Sequence, residues 1–284
     1  MSLVLSSTEQ SALVERHKAA IDGSLRTRLT TIAVVIGLVG LFLHGLSTLE
    51  VSFWRLIAGL SNLGTFVVLM LPPDPGSMAR AILFIKALFE TIAIAFLGTI
   101  LAAILAFPLG FLAAKNVVAN RVVHFFARRS MDTVRGVDAL IWALIWVNVV
   151  GLGPFAGMLA IMTSDLGAFG KLYSEAIESA DRKPVEGVTS MGGNKLHEIR
   201  FGLIPQVLPV IASQVLYYIE SNTRSSTIIG IVGAGGIGLY LAETIRTLEW
   251  QQVSFLILLI LAAVTAIDFI SAKLRFAIIG KRAI

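Results

Sequence analysis

Six apolar runs, at 30–49, 82–113, 136–152, 154–170, 206–222 and 252–272, dominate this sequence and leave little choice of fold. A helix crosses the hydrocarbon core of a bilayer with about 20 apolar residues. Within lipid, every backbone N–H and C=O must be satisfied inside the segment, which selects helices. The expectation is an all-α polytopic membrane protein with six transmembrane helices. Composition agrees: 56% of the residues are apolar and 14% charged, against about 25% charged in a soluble domain. The absence of cysteine excludes structural disulfides, thiolate metal sites and a Cys nucleophile. The net charge of +5 does not call for nucleic acid, because cytoplasmic loops of membrane proteins collect basic residues.

The first run follows a polar segment bearing Arg16, Lys18, Arg26 and Arg28. A secretory signal would place its apolar stretch nearer the start and end it in small residues. The run therefore reads as an uncleaved anchor behind a cytoplasmic tail. The run at 82–113 holds Lys86, Glu90 and Pro108, and its length predicts an interfacial start followed by a tilt or kink. Gly151-Leu152-Gly153-Pro154 joins the next two runs as a tight helical hairpin.

Residues 53–71 are long enough to span but contain Arg55, Asn62, Gly59 and Gly64 and run into Pro72-Pro73. Basic residues decide the matter. Six spans with the N-terminus inside put 18 Lys and Arg on the inner side and leave Arg55, Arg80, Lys86, Arg224 and Arg246 outside; a seventh span would give 8 inside and 15 outside. The positive-inside bias favours six, with 53–71 an interfacial helix on the outer side. The expected organisation is a cytoplasmic tail (1–29), an anchor (30–49), an extracytoplasmic segment (50–81), a five-span core (82–276) with a cytoplasmic loop (171–205), and a cytoplasmic C-terminal tail (277–284).

That loop is patterned. Val185, Val188 and Gly192, then Leu196, Ile199 and Leu203, recur at helical spacing and predict apolar stripes on two short helices. Pro184 suits a first helical turn, Gly192-Gly193 a stop, and Asn194 a cap for the next helix. On pattern alone, this could equally be an amphipathic loop packed under its own bundle.

Glu186-Gly187-Val188, three residues, Gly192, nine residues, Gly202, one residue and Ile204-Pro205 resembles the EAA loop of ABC-transporter permeases. Glu186, Gly192 and Pro205 match that pattern; Gly187, Val188, Gly202 and Ile204 depart from it. More of the chain, roughly 70–275, resembles the phosphonate and phosphite importer permeases. The shared pieces are Leu71-Pro72-Pro73-Asp74, Gly151-Leu152-Gly153-Pro154-Phe155-Ala156-Gly157, Gly170-Lys171-Leu172 with Glu175-Ala176-Ile177-Glu178, Pro205-Gln206-Val207-Leu208-Pro209, Glu220-Ser221-Asn222-Thr223-Arg224-Ser225, and Ile231-Val232-Gly233-Ala234-Gly235-Gly236-Ile237-Gly238.

The resemblance implies a type I, MetI-like importer permease in a bacterial inner membrane, with both termini cytoplasmic. It implies a homodimer, two cytoplasmic ATPase subunits, and an extracytoplasmic binding protein. Pro184, Val185, Glu186, Gly187, Val188, Met191, Gly192 and Gly193 would form the ATPase-coupling segment. No cofactor would be bound by this chain, ATP and Mg belonging to the partner ATPase. The sequence contains no G-x-x-x-x-G-K-[ST], so it supplies no phosphate-cradling loop of its own.

Gly233-Ala234-Gly235-Gly236-Ile237-Gly238 fits G-x-G-x-x-G, but the acid expected about 20 residues on is missing: position 258 is Leu. The better reading is a close-packed or broken membrane segment. Among ionisable groups, Glu220 and Arg224 stand four apart on the fifth run. They read either as a structural pair near the outer end or, with Ser221, Asn222 and Ser225, as a polar lining for an anion path. Asp165 is expected to cap or face a cavity, Asp268 to pair with Lys273 or Arg275, and Lys86 and Glu90 to be structural. Trp142 and Trp146 read as packing or interface anchors. The competing classes, a secondary ion-coupled transporter or a membrane enzyme, would need clustered mid-membrane acids or a catalytic constellation, and neither pattern is present.

Overall fold

The computed structural model describes residues 25–49, 52–118 and 120–280. Arg16, Lys18, Lys281 and Arg282, and with them most of both expected tails, lie outside the described residues. Residues 1–65 and 66–284 form two compact units. In the first, α1 (Leu25–Thr48) is apolar on every face and starts a turn before the expected anchor. The helix expected from 53 is present as α2 (Phe53–Leu69).

The second unit begins with α3 (Met78–Ala113), whose N-terminus is capped by Ser77. The run expected to start at the interface and then tilt or kink forms one uninterrupted helix of 36 residues with Pro108 inside it, about 54 Å long at 1.5 Å per residue. A row of small residues, Ala87, Thr91, Ala95, Gly98, Ala102, Ala106 and Gly110, is buried along it. Such residues let helices approach closely in lipid, where no hydrophobic force separates protein from solvent.

Next come α4 (Arg121–Arg135) and α5 (Ala139–Val150), which meet at 88°. Within the expected third span at 136–152 the helical part, α5, has 12 residues, about 18 Å, against a hydrocarbon core of about 30 Å. Asp138 accepts a hydrogen bond from Leu140 N–H and so starts α5 afresh instead of continuing α4. Gly151 and Gly153 turn the chain into α6 (Pro154–Glu178), completing the expected hairpin. α6 is the central helix: Phe169, Tyr173 and Ile177 face one core cluster, Ala160 and Ile161 another.

After α7 (Arg182–Ser190), a long helix, α8 (Lys195–Gly230), carries a π-helical stretch at Glu198–Leu203. α9 (Ile237–Arg246), which hydropathy did not reveal, precedes α10 (Trp250–Ile279). Four described helices, α1, α3, α8 and α10, are long and apolar enough to cross a membrane, and the bent α4–α5 pair makes up to five. α6 spans 25 residues but carries Asp165, Lys171, Glu175 and Glu178.

Candidate functional site

The patterned loop folds as α7 and the first turns of α8. Asp181 caps α7, and Pro184 sits in its first turn, where a missing N–H costs nothing. Gly192 has φ +81, so the stop after α7 needs a left-handed residue there. Asn194 and His197 form a reciprocal capping box at the start of α8. The side-chain amide of Gln206 accepts from Asp181 N–H and donates to Asp181 C=O, both at 3.0 Å. Thr189 donates to Glu198 at 2.9 Å, and Lys195 pairs with the same carboxylate at 3.1 Å.

Val185 and Ile199 pack against the core, whereas Leu196, expected in the same stripe, is exposed. Its turn precedes the π-helical stretch, whose extra residue shifts the register of the stripe. One departure from the EAA pattern has a steric reason: a Cβ on Gly202 would lie 3.0 Å from Val185 Cα. Away from the core, Glu186 and Gly187 are exposed and Met191 is 91% exposed. A cleft of about 290 Å³ is lined by Arg182, Glu186, Lys195 and Glu198. Sequence reasoning missed Gln206 and Glu198, because neither lies on an apolar period.

The glycine run is a packed corner joining α8 to α9. Glu90 accepts from Gly236 N–H and Thr91 Oγ1 from Ile237 N–H, each at 2.7 Å, so α3 supplies the acceptors that start α9. A Cβ on Gly238 would fall 1.9 Å from the Thr227 carbonyl oxygen. Glu90 thus has a precise structural job with no partner role for Lys86.

Glu220 and Arg224 do pair, at 3.4 Å, within a larger network. Arg275 binds the other Glu220 oxygen at 2.7 Å, and Arg224 Nη1 lies 3.3 Å from both oxygens of Asp268. Asp268 thus takes Arg224 instead of Lys273 or Arg275, and Lys273 sits over the Phe269 ring. Both partners lie in the last dozen residues of α10. The network is graded: the Glu220 side chain is 13% exposed, that of Arg224 47%.

Asn222 faces inward. Buried between three helices, it donates to Thr99 Oγ1 at 2.8 Å and to Asp165 Oδ2. Asp165 therefore faces a side-chain partner, neither a helix end nor a cavity. Ser221 and Ser225 are half-buried, adjoining Arg224. Trp142 and Trp146 donate to Val134 C=O and Thr163 Oγ1, as packing anchors.

Long apolar helices, a polar loop helix tied to α8 and an ion-pair network between α8 and α10 mark a membrane-embedded subunit. Residues 106–279 match the binding-protein-dependent transport system inner membrane component family. The chain belongs to that family, the permease subunits of ABC importers, and is a multi-pass inner-membrane protein with no enzymatic role of its own. Its partners are accordingly an ATPase and a binding protein. It is 41% identical over 233 residues to the putative phosphite transport system permease protein HtxC of Stutzerimonas stutzeri, covering 82% of each chain. It is 34% identical over 248 residues to the phosphite transport system permease protein PtxC of the same organism, covering 87% of this chain and 88% of that one. A chain of the inward-facing MetNI methionine ABC transporter has the same fold, with a TM-score of 0.62 at 18% identity, over 71% of this chain and 99% of that one.

Proposed function

We propose that this permease moves phosphite- or phosphonate-like oxyanions inward by alternating access, working as a homodimer with two ATPase subunits and the termini inside. The near full-length similarity to two phosphite permeases carries the substrate class. ATP and Mg are held by the ATPase, whose closure moves α7 of each copy. Glu186, Gly187, Met191 and their neighbours form the docking surface, and the exposure of Met191 and the polar cleft lined by Glu186 support this. α7 cannot swing freely, because Gln206 and Glu198 tie it to α8. Its displacement turns the helix that carries Arg224.

Arg224 is the anion-handling group, with Ser221 and Ser225 as neighbouring donors. A guanidinium fork suits phosphonate oxygens, and a half-exposed charge at membrane depth belongs in a water-filled path, not in lipid. Glu220 holds Arg224 from one side, and Asn222 fixes the helix behind it. Six spans remain the best topology on the basic-residue asymmetry. Binding-protein-dependent ATP hydrolysis by the assembled complex, measured against phosphite, alkylphosphonates, phosphate and sulfate, tests the substrate class. Stimulation confined to phosphorus oxyanions is expected. Topology is tested by impermeant maleimide in intact cells on single-Cys variants of this Cys-free chain. Met78→Cys should react from outside, and Ser190→Cys only after permeabilisation.

A further inference from the structure

α4 carries an exposed face that is both aromatic and basic. On one side Met131 is buried against α6, where a Cβ at Gly170 would collide with its sulfur. On the opposite side Val122, Phe125 and Phe126 are 62%, 56% and 64% exposed. Arg129 stands among them, 6.0 Å from the centre of the Phe125 ring, and Arg121 is exposed at the helix start. Arg129 shares Asp132 with Lys171, both at 3.5 Å, and no carboxylate among the described residues pairs with Arg121.

Orientation supplies the second observation. α4 meets the apolar α5 at 88°, so the two cannot both run along the bilayer normal, and α4, with four arginines, is the one suited to the membrane plane. An aromatic strip flanked by arginines, on a helix lying in that plane, fits the boundary between headgroups and acyl chains. Arg128 bonds Glu178 at 3.2 Å, three residues before the α7 cap. α4 therefore lies at the α7 end of the bundle and is tied to the root of α7.

We propose that the outward face of α4 binds the anionic phospholipid headgroups of the leaflet on the α7 side, and that this contact steadies the seat of α7. This is independent of which anion is transported. The complete importer would be reconstituted in phosphatidylcholine with and without phosphatidylglycerol. A nitroxide on Phe126→Cys would report depth through collisions with oxygen and with an aqueous nickel chelate. The label should collide mainly with oxygen, and phosphatidylglycerol should raise coupled ATP hydrolysis severalfold. Arg121→Gln with Arg129→Gln should lose most of that increase while the label stays at the same depth. Free inorganic phosphate added to phosphatidylcholine vesicles should not replace the lipid. A label open only to the aqueous chelate, a label shielded from both quenchers by protein, equal activity in the two lipids, unchanged lipid dependence in the double variant, or rescue by free phosphate would each overturn the proposal. None of these readings depends on the transported anion, so they fail or hold separately from the substrate assignment.

Discussion

Gln206 holds Asp181 by two reciprocal hydrogen bonds, its side-chain amide acting towards the Asp181 backbone as a strand neighbour would. This joins the cap of α7 to the first turns of α8 beyond the π-helical stretch. Gln206→Leu removes both bonds, each worth about 0.5–1.5 kcal/mol. The chain should still insert, and the ratio of anion transported to ATP hydrolysed should fall. Gln206→Glu keeps the acceptor and loses the donor, so its ratio should lie between the two. Reconstituted complexes measured for both rates check this.

Gly192 offers a cleaner separation of strain from packing. Its φ is +81, yet a Cβ there would meet nothing within 4 Å. The cost of Gly192→Val is therefore backbone strain alone, about 1–3 kcal/mol, and Gly192→Asn should recover part of it because Asn tolerates that region. Recovery of the ATPase in pull-downs should follow the order Gly, Asn, Val.

For Arg224, the four-membered network decides which variants are informative. Arg224→Ala should cut uptake strongly while the complex still assembles, and Arg224→Lys should restore part of it. Removing Glu220 together with Arg224 would strand Arg275, so that pair is a poor control. Arg224→Ala with Asp268→Ala leaves the 2.7 Å Glu220–Arg275 bond intact. If Arg224 handles the anion, the double variant should transport as poorly as Arg224→Ala. Near-native uptake would make the arginine purely structural.

The corner between α8 and α9 should be intolerant of volume. Gly238→Ala places a Cβ against the Thr227 carbonyl, a backbone atom that cannot turn aside; overpacking of this sort costs about 1–3 kcal/mol or more. Glu90→Ala leaves Gly236 N–H without its acceptor, a loss near 1 kcal/mol for a helix start. Both should lower the melting temperature of the detergent-solubilised chain, Gly238→Ala the more.

The sequence made the α7 region legible almost residue by residue, because caps and glycine stops are local chemistry: Pro184, Gly192 and Asn194 stand where their backbone preferences require. The hairpin at Gly151–Gly153 was readable for the same reason. Hydropathy marked the start of the α5 run at 136 and left α4 out of it, but a window average does not show that the chain turns by 88° there, at the Asp138 cap. Likewise α9 is short and half polar, and its start depends on Glu90 and Thr91, 146 residues earlier. The Glu220–Arg224 pair was visible from its spacing of four. Asp268 and Arg275 were not assignable to it, because nothing local says which faces of α8 and α10 meet. The inward turn of Asn222 was hidden too, since a polar residue beside Arg224 looks the same whether it lines a path or locks a core.

The most direct test of the account is transport by the complete importer in proteoliposomes. Binding protein and phosphite or an alkylphosphonate are placed outside, and ATP is enclosed with the ATPase subunits. The account predicts accumulation that requires hydrolysable ATP, saturates with binding protein, and is competed by the second phosphorus oxyanion but not by methionine. Accumulation driven by a proton or sodium gradient without ATP would contradict it, as would ATP-driven uptake of methionine with no uptake of any phosphorus oxyanion.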